Sequence, residues 1–162
     1  MNTQTIIPTR AGLRRAGEVR ERILAEHRSL RQRLDVLELM VDGLREEPAR
    51  RASVKRAARD LLRRLIAHTQ LEDAIVAPSL RTADAWGDVR AHDLIEQHVA
   101  QRQTLTGLLH SYDANDEPLE HAALRTLSWI MDIRADMDHE ERTVLSRELF
   151  GGWRVAIDGE AG

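Results

Sequence analysis

Residues 61–78 read LLRRLIAHTQLEDAIVAP, and this stretch decides the fold. Leu61, Leu65, His68, Glu72 and Ile75 recur at steps of three and four, the spacing of one face of an α-helix. Val54 and Ala58 extend the same face backwards. Two positions where leucine is expected hold His68 and Glu72 instead. A buried ionisable side chain is costly unless it is paired or bound to a metal. The helix therefore predicts a core that contains a polar site.

The same period appears in three further stretches, so the chain reads as four helices over roughly 17–46, 49–78, 88–112 and 118–149. The first presents Ile23, His27, Leu30, Leu34, Leu37, Val41 and Leu44. The third presents Ile95, His98, Arg102, Leu105, Leu109 and Tyr112. The fourth presents Trp129, Ile133, Asp136, Glu140 and Thr143, with Ile130, Met137 and Val144 beside them. No stretch alternates apolar and polar residues as a half-buried strand does. Breakers fall between the helices: Pro48, the loop from Pro78 to Gly87, and DANDEP at 113–118. Short connections between long helices predict an all-α, up-down-up-down four-helix bundle. The expected organisation is a flexible leader over 1–16, the bundle over 17–150 and a tail over 151–162.

Composition agrees and excludes several functions. The 162 residues suit one domain, with 42% hydrophobic, 31% charged and only 3% aromatic residues. No cysteine is present, which removes disulfides, thiolate nucleophiles, zinc-finger cages and cysteine-held iron–sulfur clusters. Any metal is left with histidine and carboxylate ligands. A formal charge of −3 is too balanced for a general nucleic-acid binder. The basic face of Arg51, Lys55, Arg59 and Arg63 reads as solvated and paired with acidic neighbours. Met1 to Gly17 lacks the apolar core of a signal peptide, and no run of about 18 apolar residues occurs to span a membrane. The expected location is the cytoplasm, with no nucleic-acid or membrane partner.

The polar core positions share a level. In an antiparallel hairpin, residues equidistant from the turn lie at the same height. His27 and His68 are equidistant from the Pro48 turn, His68 and His98 from the loop before Gly87, and His98 and Asp136 from DANDEP. Glu72 and Glu140 lie one turn further along the second and fourth helices. An internal repeat supports this alignment. An offset of 71 places Ile23 to His27 on Leu94 to His98 and Arg31 on Arg102. An offset of 68 places Leu65 to His68 on Ile133 to Asp136, and Glu72-Asp73 on Glu140-Glu141. The chain reads as a duplicated helical hairpin. Imidazole suits iron, zinc, copper and manganese, and bridging carboxylates suit two ions close together.

The pattern His27 … His68-x-x-x-Glu72 … His98 … Asp136-x-x-x-Glu140 resembles the hemerythrin-like (HHE cation-binding) domains over residues 18–149. The segments HTQLEDAIVAP and DMDHEERTVL look like that family's two H-x-x-x-E-E stretches. The resemblance implies a non-haem di-iron centre that handles or senses dioxygen, peroxide or nitric oxide. His27, His68, Glu72 and His98 would be ligands, and Glu140 would bridge or cap the second iron. Two departures stand out. Asp136 occupies the place of the family's fourth-helix histidine and would ligate with more carboxylate character. Arg102 stands where oxygen carriers have a further histidine; a guanidinium cannot ligate, so Arg102 is expected to pair with Asp136 or Glu140. His139 is the substitute ligand in another register, and Asp73 and Glu141 are placed to orient ligand imidazoles. Manganese is the alternative metal. Two rival readings stay open: a di-iron oxidase or oxygenase acting on an organic substrate, and a metal-free interaction bundle.

Overall fold

The structure is a computed structural model that describes residues 10–44, 48–114 and 117–150. Helix α1 spans Arg10–Asp42, and a 3-10 turn at Pro48–Arg50 leads into α2, Arg51–Arg81. Helix α3 spans Gly87–Ala114, α4 spans Leu119–Arg142, and a single turn, α5, spans Arg147–Phe150. No strand occurs among the described residues. Each hairpin packs its two helices together, α1 also packs on α4, and the result is an up-down-up-down bundle. Most expected connections are present: Pro48 opens the short turn before α2, and Pro118 caps α4.

Three boundaries differ from the sequence reading. Helix α1 begins at Arg10, inside the expected leader, because Ala16 and Val19 find apolar partners beneath them. Helix α2 runs through Pro78 to Arg81; the Pro78 ring is exposed, and Ser79 donates its hydroxyl back to the Ile75 carbonyl. The fourth segment ends at Arg142, not 149. The Leu145 amide donates to the Glu140 carbonyl at 2.7 Å, and Thr143 Oγ1 donates to the His139 carbonyl at 2.8 Å. This turn folds Leu145 and Phe150 into the core, where both are buried. Residues 1–9 of the leader, the centre of DANDEP and the tail over 151–162 lie outside the described residues.

The apolar core is divided in two. One cluster runs from Leu30 and Leu65 through Leu105 and Met137 towards Tyr112 and Ala122. The other contains Ile23, Val76, Leu80, Leu94, Leu145 and Phe150. On every long helix the gap between them is filled by a polar residue: His27 on α1, His68 and Glu72 on α2, His98 on α3, Glu140 on α4. Burying apolar side chains on both sides holds the bundle closed and keeps water from this layer. The α2–α3 corner has little freedom. A Cβ on Gly87 would lie 2.1 Å from the Leu80 carbonyl oxygen, so only glycine lets α3 start against α2.

The fourth stripe lies one step away from its expected line. Thr126, Ile130, Ile133, Met137 and Glu140 face inward. Trp129 is half-buried, and Asp136 and Thr143 are exposed. Trp129 and Ile130 allow either line, whereas 136–137 offers Asp136 or Met137, and packing against α1 and α3 selects the line with Ile130 and Met137. On α3 the same choice buries Leu94 and Leu108 in place of Ile95 and Leu109.

Candidate metal centre

Five side chains converge between the two apolar clusters: His27, His68, Glu72, His98 and Glu140, none more than 7% exposed. Their donor atoms form two overlapping groups, His27–His68–Glu72 and Glu72–His98–Glu140, each with its atoms within 4.8 Å of one another. The carboxylates are shared in a definite way. Glu72 Oε1 is 3.4 Å from His27 Nε2, and its Oε2 is 3.2 Å from His98 Nε2 and 3.4 Å from His68 Nε2. Glu140 Oε2 is 3.5 Å from His27 Nε2, and its Oε1 is 3.6 Å from His98 Nε2. Each carboxylate thus turns one oxygen to His27 and the other to His98.

These separations fit a bound cation better than hydrogen bonding. The buried Nε2 atoms of His27, His68 and His98 have no hydrogen-bond partner. Such orphans are rare and call for an explanation. Donors about 2.1 Å from one ion lie about 3–3.5 Å apart by simple geometry, which is the spacing seen. The nitrogen and oxygen set suits a hard-to-borderline divalent or trivalent ion.

The other ring nitrogens are held from outside. Nδ1 of His27 donates to Glu141 Oε1 at 2.9 Å, and Arg31 donates to the same oxygen at 2.7 Å and to Asp138 at 2.6 Å. Nδ1 of His98 donates to Asp73 Oδ1 at 2.6 Å, and Arg102 donates to Asp73 Oδ2 at 2.7 Å and to Thr69 at 3.3 Å. A carboxylate only accepts, so Nδ1 carries a proton and Nε2 is the nitrogen turned inward, the one that can coordinate when the ring is neutral. The histidine, the carboxylate and the arginine of the two arrangements match the internal repeat. Arg102 is therefore paired with Asp73, not with Asp136 or Glu140 as expected from the sequence. The sequence spacing puts Asp73 on α2, and only the rotation of α2 against α3 brings it to Arg102.

The electrostatics of the metal-free cluster follow from burial and these contacts. Burial resists charge on Glu72, but the imidazoles of His27, His98 and His68 outweigh it and hold the carboxyl at about 2. Burial dominates at Glu140 and raises its pKa, with Glu72 adding repulsion. Burial would lower His98, yet Glu140, Glu72 and Asp73 together push it up to about 10. His27 is raised in the same way by Glu72 and Glu141 against its burial, while burial lowers His68.

Of the residues singled out in the sequence, Asp136 is not among the converging donors. It is exposed and accepts a hydrogen bond from Gln101 Nε2 at 2.8 Å. His139 is exposed in the last turn of α4, and Asp73 and Glu141 sit behind the imidazoles. Gln101, Arg31 and Asp138 were missed. The internal repeat pairs Arg31 with Arg102 and was the available signal for Arg31. Elsewhere, Arg51 pairs with Glu120 and Arg59 with Asp113, so two cations of the basic face are matched by acidic neighbours.

The sequence matches the hemerythrin HHE cation binding domain over residues 19–147. The chain belongs to this family. No curated protein and no solved structure matches it. Membership in the hemerythrin HHE family implies cation binding, and the residues of the layer described above fit a cation. Among the described residues of this HHE domain, no helix is long and apolar enough to cross a membrane.

Proposed function

We propose that this HHE domain holds non-haem iron as a pair of ions and handles or senses a small oxidant: dioxygen, peroxide or nitric oxide. One observation carries the reading: both buried carboxylates present one oxygen to His27 and the other to His98. That arrangement suits carboxylates that bridge two ions. His27 and His68 with Glu72 would hold one ion, and His98 with Glu72 and Glu140 the other. Manganese would accept the same donors. Iron, when bound there, supplies the affinity for a small oxidant and the electrons exchanged with it.

The chain's own residues do the rest. Asp73 and Glu141 fix the ring orientation of His98 and His27. Glu72 and Glu140 offset the cationic charge. The two apolar clusters exclude bulk water. The second ion would have a single imidazole, because the repeat places Asp136 where His68 stands in the first half.

The space beside the centre favours a small ligand over an organic substrate. A cavity of about 20 Å³ borders His68, Glu72 and Glu140, enough for one water-sized molecule. Ala67, Ala74 and Ala135, the small residues that would have widened it, are exposed. The metal-free bundle is disfavoured by the three partnerless Nε2 atoms, since a purely structural polar network is normally satisfied.

Elemental analysis and optical spectroscopy test the proposal. Protein prepared with ferrous iron is expected to carry between about one and two ions per chain, and His68→Ala to lose most of that iron. Unchanged iron in His68→Ala, or no metal in the parent protein, would remove the reading.

A further inference from the structure

We infer that Gln101 and Asp136 form the outer wall of the ligand cavity and select, by size and charge, what reaches the metal centre. The inference rests on the metal-centre reading above.

The cavity runs between the centre and the surface. Its inner side is His68, Glu72 and Glu140; its outer side includes Gln101 on α3 and Asp136 on α4. Asp136 is exposed, Gln101 is half-exposed, and the 2.8 Å hydrogen bond between them spans the α3–α4 seam. Exposure of the converging residues has the same direction. His27 and His98 are fully buried at 0%, whereas His68 at 6% and Glu140 at 7%, both bordering the cavity, are slightly open. Solvent therefore comes nearest to the centre on this side.

The wall has a sign. Arg102, next to Gln101 in the chain, turns its guanidinium to Asp73 and Thr69 and does not line the cavity. Asp136 is then the charge at the mouth. A carboxylate there attracts cations, is indifferent to neutral diatomic molecules and repels anions. Behind it, Leu65, Leu105, Ile133 and Met137 give an apolar lining that admits neutral molecules at little cost. The wall thus favours metal ions and neutral diatomics over anions and over anything larger.

The probes are cobalt(II), whose visible bands report coordination, and azide and nitric oxide with the iron-loaded protein. Stopped-flow uptake of cobalt(II) by metal-free protein is expected to be severalfold faster in Gln101→Ala, with the final stoichiometry unchanged. Azide binding is expected to be severalfold faster in Asp136→Asn, with nitric oxide binding unchanged and the azide effect shrinking at high salt. Cobalt and azide rates equal to the parent in both variants would overturn the wall. So would metal lost from Asp136→Asn, which would make Asp136 a ligand. If the parent protein takes up neither metal, it is the metal-centre reading that fails, not the wall alone.

Discussion

Asp73 on α2 accepts a 2.6 Å hydrogen bond from Nδ1 of His98 on α3. Its second oxygen is held by Arg102 at 2.7 Å, one helical turn beyond His98. Glu141 makes the same connection to His27 across the α4–α1 pair, with Arg31 in the place of Arg102. The internal repeat thus duplicates a histidine, its orienting carboxylate and the arginine that anchors the carboxylate. The role of the arginine position follows from this: it anchors the carboxylate that holds an inward-facing imidazole.

Asp73→Asn would leave Arg102 without its anion and allow the His98 ring to turn. Metal affinity is expected to fall by about 10- to 100-fold, read by chelator competition, with the helical content unchanged. Equal affinity in the variant would show that His98 needs no orientation from Asp73.

Metal binding is expected to release protons even under mildly alkaline conditions. In the metal-free protein, His98 stays protonated up to about 10, and a protonated imidazole cannot coordinate. At pH 8, calorimetry in buffers of different ionisation enthalpy should detect roughly one proton or more per chain. No buffer dependence would mean that His98 is already neutral. The same competition lowers affinity as pH falls, so bound iron should be released progressively below about pH 6. Full retention near pH 4 would assign the holding to carboxylates alone.

Metal-free protein is expected to be most stable between the two limits set by its charged cluster. Glu72 has its pKa lowered to about 2, so its contribution is present above the unfolded value near 4.5 and is lost as pH falls towards 2. His98 has its pKa raised to about 10, so its contribution is present below 6.5 and is lost as pH rises through 10. Each limit is of the order of a few kcal/mol, and the two share one His98–Glu72 interaction, so they do not add. Thermal unfolding midpoints across pH measure this; a flat profile would contradict it. Bound metal should flatten the alkaline side, because a coordinated His98 carries no proton to lose.

Gly87→Ala should destabilise the bundle by about 1–3 kcal/mol, since the new Cβ meets backbone that cannot step aside. Chemical denaturation would detect the loss.

The inner faces of α1 and α2 were legible from spacing: Ile23, His27, Leu30 and Leu34 on one, Leu61, Leu65, His68 and Glu72 on the other. The fourth helix was less legible because Ala135 and Met137 flank Asp136 on both sides. A single step of about 100° along the helix exchanges Asp136 for Met137 at the core. Glu140 belongs to both lines and so was identified regardless.

The order of residues alone determined the bundle, the common level of His27, His68 and His98, and the carboxylates one turn beyond, because helical period and hairpin length are local quantities. Only the tertiary structure decided that Glu72 and Glu140 each divide their oxygens between His27 and His98. It also decided that Arg102 meets Asp73 and that Asp136 meets Gln101 at the surface. These pairings depend on how far each helix is rotated about its axis. That rotation is set by side-chain packing between helices, which periodicity along one chain does not contain.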